Sequence, residues 1–260
     1  MLADYNDLGS FETFLAILAR LRGPDGCPWD KKQTHESLRK YLLEESHEAL
    51  EAIESGDPKR LAEELGDVLL QVGLNAQVGQ DSGTFTIKDV LRSINAKLIY
   101  RHPHVFGDVK VADADEVVAN WEKLKAKEKG EKQSALDGVP KSLPALAYSQ
   151  EIQGRAAKLG FEWPDMAGVL DKVREEIGEF ERAKAKAELE HELGDIFAAL
   201  VNVGRRLNMD VEGAMRKANQ RFERRFRHME ESARAQGKKF GELPLDRQEE
   251  LWQEAKRAMG

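Results

Sequence analysis

The chain has 260 residues, 41% of them hydrophobic and 33% charged. That is enough for one large domain or two of roughly 130 residues, each with a real core. The formal net charge of −7 argues against a general nucleic-acid coat while leaving room for a local basic patch, and the single cysteine, Cys27, excludes an intrachain disulfide and a Cys-based zinc site.

The first basic residue, Arg20, stands behind Asp4, Asp7 and Glu12, the reverse of an export signal. The clearest apolar run, Ile196–Val201, is far short of the ~20 residues that span a bilayer. A cytoplasmic protein with no membrane partner is expected. From there the periodicity is helical. Apolar residues recur at three- and four-residue steps over Phe11–Leu21, Leu38–Ile53, Leu61–Val78 and Val90–Ile99, and again over Val169–Phe180, Leu189–Leu207 and Val211–Met229. Asp57-Pro58 reads as an N-cap followed by Pro in the first turn. Trp29 with Asp30, and Trp163 with Asp165, lead into acidic helices. Lys123–Lys132 reads as a solvated helix end, and the Pro- and Gly-bearing stretch Ser134–Pro144 as a connector. The fold class expected is all-α: a domain at 1–125, a linker at 126–145 and a second domain at 146–260.

An internal repeat supports that division. Glu44-Glu45-x-x-Glu48 matches Glu175-Glu176-x-x-Glu179, Glu64-x-x-Asp67 matches Glu192-x-x-Asp195, and Asn95-x-Lys97-x-x-x-Arg101 matches Asn219-x-Arg221-x-x-x-Arg225. Three paired motifs in one order indicate duplication of a helical unit.

The carboxylates carry the chemistry. Glu45 and Glu48 are at i and i+3, and so share a helix face; the same holds for Glu64/Asp67, Glu176/Glu179 and Glu192/Asp195. Apolar runs follow each second pair, Val68-Leu69-Leu70 and Ile196–Val201, so these helices are expected to be substantially buried. If the two helices pack antiparallel, four carboxylates converge at the edge of a core, where repulsion and desolvation either raise their pKa values or recruit a hard dication. Oxygen-only ligands suit Mg²⁺ or Mn²⁺. A single Glu-rich helix is ordinarily a solvated face; its recurrence beside apolar runs in both halves argues otherwise. Glu44-x-x-His47 and Glu188-x-x-His191 imitate the ligand pair of di-iron bundles, but they fall at non-matching places of the repeat.

Arg221 and Arg225 are at i and i+4, as are Lys97 and Arg101, and arginine forks suit phosphate oxygens. Asn219 lies roughly opposite Arg221 on the helix. Lys172 sits one turn before Glu176 on the same face. Trp252 reads as the anchor of a C-terminal helix or as a lid over a base. No glycine-rich phosphate cradle is present.

Taken together, Cys27–Thr34, Tyr41–Glu45, Glu64–Asp67, Arg101–Phe106, Ser134–Asp137, Glu175–Glu179, Glu192–Asp195 and Lys217–Phe226 resemble the MazG family of nucleoside triphosphate pyrophosphohydrolases over nearly the whole chain. The resemblance implies two tandem MazG-like helical domains in a homodimer with helices packed across subunits. It implies Mg²⁺-dependent cleavage of nucleoside triphosphates (NTPs) between the α- and β-phosphates, giving NMP and pyrophosphate. By that likeness Glu176, Glu179, Glu192 and Asp195 hold the metal, and Glu45, Glu48, Glu64 and Asp67 are their first-copy counterparts. Lys172, Asn219, Arg221, Arg225 and Trp252 contact nucleotide, with Lys97 and Arg101 their first-copy counterparts. The C-terminal copy is the expected catalyst. The water-activating carboxylate stays open between Glu175 and the ligands themselves. No stable nucleic-acid partner is expected. The alternatives are a regulatory nucleotide- or protein-binding module without turnover, and a narrower dCTP- or dUTP-type pyrophosphatase.

Overall fold

A computed structural model describes residue 5 and residues 7–128 and 134–259. It divides into two compact units, Met1–Gly130 and Glu131–Gly260. The division falls inside the stretch read as a linker, and residues 129–133 of that stretch lie outside the described residues. Every regular element among the described residues is helical, so the all-α class is the observed one.

The first unit holds α1 (Phe11–Arg22), α2 (Pro28–Lys31), α3 (His35–Ser55), α4 (Pro58–Asp81), α5 (Ile87–Arg101), α6 (Pro103–Phe106) and α7 (Ala114–Glu128). Local chemistry sets the boundaries. Thr34 and Ser37 form a capping box at the start of α3. Gly56 ends it in the left-handed region at φ 69°, where a Cβ is disfavoured. Asp57 then accepts from the Lys59 and Arg60 N–H groups to open α4. With two residues between them, α3 and α4 fold back on each other as a helical hairpin.

The second unit holds α8 (Ala145–Ala157), α9 (Met166–Arg182), α10 (Lys186–Arg206), α11 (Val211–Ala235), a 3₁₀ turn (Phe240–Glu242) and α12 (Leu245–Met259). Asp165 caps α9 and Asp210 caps α11, each accepting the N–H three residues on. Glu188 accepts from the Lys184 and Ala185 N–H groups, 3.1 Å each, at the start of α10. Residues 134–144 are held to the second unit: Arg155 Nη1 donates to the Asp137 carbonyl at 2.9 Å, and Val139 is buried.

The two units place their cores differently. In the first, Leu18, Leu38, Leu74 and Val78 pack with Phe14, Leu21, Tyr41 and Leu70, joining α1, α3 and α4. Contact is so close that a Cβ on Gly73 of α4 would meet Leu18 Cδ1 at 2.4 Å. In the second, the main cluster is Met229, Ala233, Leu243, Leu251 and Ala255 with Phe226, Phe240 and Trp252, between α11 and α12.

The expected deep burial of the second acidic helices is corrected. Val201 is buried, but Leu69, Phe197 and Leu200 are 41–51% exposed. A continuous apolar run on a helix wraps more than one face, and only the inward face is covered. Similarly, α5 has no buried residue and exposes Leu91, Ile94, Leu98 and Ile99.

Candidate metal centre and adjoining cavity

The hairpins α3–α4 and α9–α10 bring the acidic pairs together. Glu45, Glu48 and Glu64 each offer a carboxylate oxygen within 4.8 Å of the others, and so do Glu176, Glu179 and Glu192. Octahedral Mg²⁺ with ligands at about 2.1 Å requires oxygen–oxygen separations of roughly 3–4 Å, so each triad needs only small side-chain adjustments to share one ion. Histidine is absent from both triads, in keeping with an oxygen-only site. His191 Nε2 instead lies 3.3 Å from Asp195, and Glu188 is a helix cap, so the di-iron likeness has no geometric counterpart.

Asp67 and Asp195 fall outside the two triads. Asp67 nevertheless acts on its triad: burial first, then the charges of Asp67, Glu48, Glu64 and Glu44, push the Glu45 carboxyl above its ordinary pKa. In the second unit the compensation is a cation. Lys172 Nζ lies 2.6 Å from Glu176 and 2.9 Å from Glu175, and the hydrogen bonds to these two carboxylates, Glu176 foremost, raise the ammonium's pKa. Glu176 is 5% exposed, so an ionised side chain there requires such a partner. Glu175 faces outward beside Lys172.

Next to the second triad is a cavity of about 510 Å³. Lys172, Glu176 and Asp195 stand at one side. Phe161, Trp163, Ala156, Ala198 and Ala199 provide apolar wall, and Gln153, Asn202 and Arg205 the polar part. The lead-in loop that carries Trp163 is tied down. Glu162 pairs with Arg205 and, at 3.1 Å, with Arg206, and Arg206 also donates to the Trp163 carbonyl. Burial pushes the Glu162 carboxyl up, but the hydrogen bonds from Arg205 and Arg206 outweigh it and hold the carboxyl below its usual range.

Asn219, Arg221, Arg225 and Trp252 do not line this cavity; they lie on α11 and α12. Asn219 and Arg221 are exposed. The Arg225 guanidinium is 5.6 Å and Lys256 Nζ 5.9 Å from the Trp252 ring, with Phe222 at 5.5 Å. The first unit repeats the arrangement on α5 and α7. Arg101 lies 5.4 Å and Lys125 Nζ 4.6 Å from the Trp121 ring. Lys97 is exposed, whereas Arg101 is bound to Glu128, with Nε 3.1 Å from Oε2.

Sequence reasoning did not single out Trp121, although Trp121-x-x-x-Lys125 and Trp252-x-x-x-Lys256 form a fourth matched motif. Nor did it single out Gln153, Glu162, Asn202, Arg205 or Arg206 around the cavity, whose residue types carry no motif.

Comparison with known proteins agrees with this architecture. The family model described as the MazG nucleotide pyrophosphohydrolase domain matches residues 33–106. A nucleoside triphosphate pyrophosphohydrolase/pyrophosphatase MazG of Thermotoga maritima is 47% identical over 247 residues, covering 95% of each chain. A nucleoside triphosphate pyrophosphohydrolase of Escherichia coli is 45% identical over 258 residues, 96% of this chain and 98% of that one. The uncharacterised Bacillus subtilis protein YabN is 50% identical over 251 residues, 95% of this chain but 51% of its own length. With the helical hairpins, the paired acidic motifs and relatives of this closeness along almost the whole chain, the protein belongs to the MazG family.

Proposed function

We propose that the second unit hydrolyses nucleoside triphosphates to NMP and pyrophosphate with Mg²⁺ as cofactor, Mn²⁺ serving in its place. The observation that carries this reading is the meeting, in one place, of an oxygen-only triad, an ammonium group and a cavity. Glu176, Glu179 and Glu192, with Asp195 alongside, would hold the ion, which when bound neutralises phosphate charge. A water oxygen bonds to the α-phosphorus as the bond from that phosphorus to the α,β-bridging oxygen breaks, and pyrophosphate leaves with the bridging oxygen. The water's proton goes to a carboxylate of the cluster, with Glu175 the group free of the triad. Lys172 orients Glu175 and Glu176 through its two hydrogen bonds. Arg221 and Arg225 are assigned to the charge that builds on the leaving pyrophosphate, with Asn219 and Trp252 beside them. In the first unit, Glu45, Glu48 and Glu64, with Asp67, would hold a second ion, and Lys97 and Arg101 occupy the corresponding basic positions.

The exposed apolar residues of α5, and separately those of α10, support a homodimer, since exposed apolar surface ordinarily meets a partner. Among the described residues no helix is long and apolar enough to cross a membrane, and we place the enzyme in the cytoplasm.

The experiment is chromatography of ATP and dGTP reactions with Mg²⁺ and with EDTA. NMP and pyrophosphate are expected with Mg²⁺ and nothing with EDTA. NDP with inorganic phosphate, or full turnover in EDTA, rejects the reading.

A further inference from the structure

The Trp-x-x-x-Lys motif occurs in both units, but the residue seven places past the tryptophan differs. It is Glu128 after Trp121 and Met259 after Trp252. In each unit an arginine and a lysine approach the ring: Arg101 and Lys125 in the first, Arg225 and Lys256 in the second. Two cations drawn to one ring repel each other, and an anion nearby relieves the repulsion. In the first unit the protein supplies that anion itself.

The Glu128 carboxylate sits across the fork of Arg101. Nε lies 3.3 Å from Oε1 and 3.1 Å from Oε2, and Nη2 also donates to Oε2. The two residues are 27 positions apart, on α5 and α7, so the contact is tertiary and not a pairing along one helix. It is also sheltered, with side-chain exposures of 15% for Arg101 and 24% for Glu128, unlike the pair Arg39–Glu36 at 74% and 79%. Between Lys123 and Lys129 the sequence holds lysines and small or apolar residues, with Glu128 its one carboxylate. A strongly basic stretch thus delivers a single acid to the arginine.

An arginine fork binds a carboxylate and a phosphate through the same parallel N–H donors. On Arg101 those donors, Nε and Nη2, are the ones that Glu128 takes. A phosphate oxygen reaches them only by displacing the carboxylate. At the matched place in the second unit, Met259 carries no charge and competes for nothing.

We infer that Glu128 is the built-in occupant of a polyphosphate-binding position in the first unit, and that its withdrawal opens a site for a polyphosphate anion at Arg101 and Lys125 beside Trp121. The inference rests on the triphosphate reading of the basic positions and adds to it what closes the first copy.

Calorimetry of the full chain with inorganic tripolyphosphate tests this. It is run in EDTA, so that neither acidic triad contributes through an ion. Glu128→Gln, which keeps the length of the side chain and removes its charge, is expected to bind one more equivalent of tripolyphosphate per chain than the wild type. Adding Arg101→Gln to that variant removes the gained site. Glu36→Gln makes the same change in net charge at the exposed pair and gains none. Should Glu128→Gln lose its helical circular dichroism, Glu128→Asp, whose carboxylate falls one methylene short of Arg101, is expected to show the same gain and decides alone. No added equivalent in a folded variant, a gain that survives Arg101→Gln, or an equal gain in Glu36→Gln overturns the inference. No turnover is measured, so a wild type that fails to release pyrophosphate in the separate product assay rejects the hydrolase reading, while the role of Glu128 is judged on the gained site.

Discussion

The two units share helix order and acidic triads, and they differ in what lies next to those triads. In the first, α1 presses large side chains against α4, and Leu18, Leu70 and Leu74 occupy the space. In the second, α8 and α10 meet through Gln153, Ala156 and Ala198, the main apolar cluster has moved to α11 and α12, and a cavity of about 510 Å³ remains. The basic groups diverge in the same sense. Tyr41 replaces Lys172, and Arg101 is engaged by Glu128 where the matching position seven residues past Trp252 is Met259. The two triads are alike; what separates the units is the space and the charge beside them. Each large apolar side chain buried contributes roughly 1.5–3 kcal/mol to folding, so the first unit gains stability from the positions that the second leaves empty.

Substitutions at matched positions sharpen this contrast. The largest effect is expected from the triads. Glu179→Ala or Glu192→Ala lowers the rate of pyrophosphate release by about 10³-fold, since a misplaced ion forfeits several kcal/mol of charge stabilisation, whereas Glu48→Ala or Glu64→Ala leaves it unchanged. Equal losses in both sets break the comparison. Next is Lys172→Tyr, which imports the first unit's residue and leaves buried Glu176 without its ammonium. A hydrogen bond to a charged group is worth about 1.5–3 kcal/mol, so kcat/KM falls about tenfold or more; steady-state kinetics at saturating Mg²⁺ measures it.

The smallest effect concerns the loop that carries Trp163. Glu162 has a folded-state pKa below its unfolded one, so its pairing with Arg205 and Arg206 stabilises the fold above the unfolded carboxyl pKa of about 4.3 and is lost as pH falls through the lower folded value. Glu162→Gln therefore melts at a lower temperature than wild type at pH 7, and the gap narrows on acidification below about pH 4. A gap that widens in acid contradicts the assignment.

Much of this was legible from residue spacing. The cap at Asp57, followed by Pro58, sits at the start of α4 as its sequence indicates, and each acidic pair shares a face because i and i+3 are neighbours on any α-helix. The Trp-x-x-x-Lys match was equally readable, but it is short and falls at unequal distances from the preceding Arg. Other features were out of reach. Apolar runs such as Ile196–Val201 looked buried, because a run of hydrophobic letters does not say which side of a helix has a neighbour. Arg101 looked available for phosphate until α7 brought Glu128 to it.

What the order of residues determined by itself is the helical class, the duplication and the pairing of carboxylates, all of which follow from periodicities within one or two turns. Only the tertiary structure decided that one triad borders a cavity and the other a filled core. That outcome depends on the summed volumes of side chains from α1, α3 and α4, or from α8, α9 and α10, and a difference between alanine and leucine acquires meaning only once those helices are set against one another.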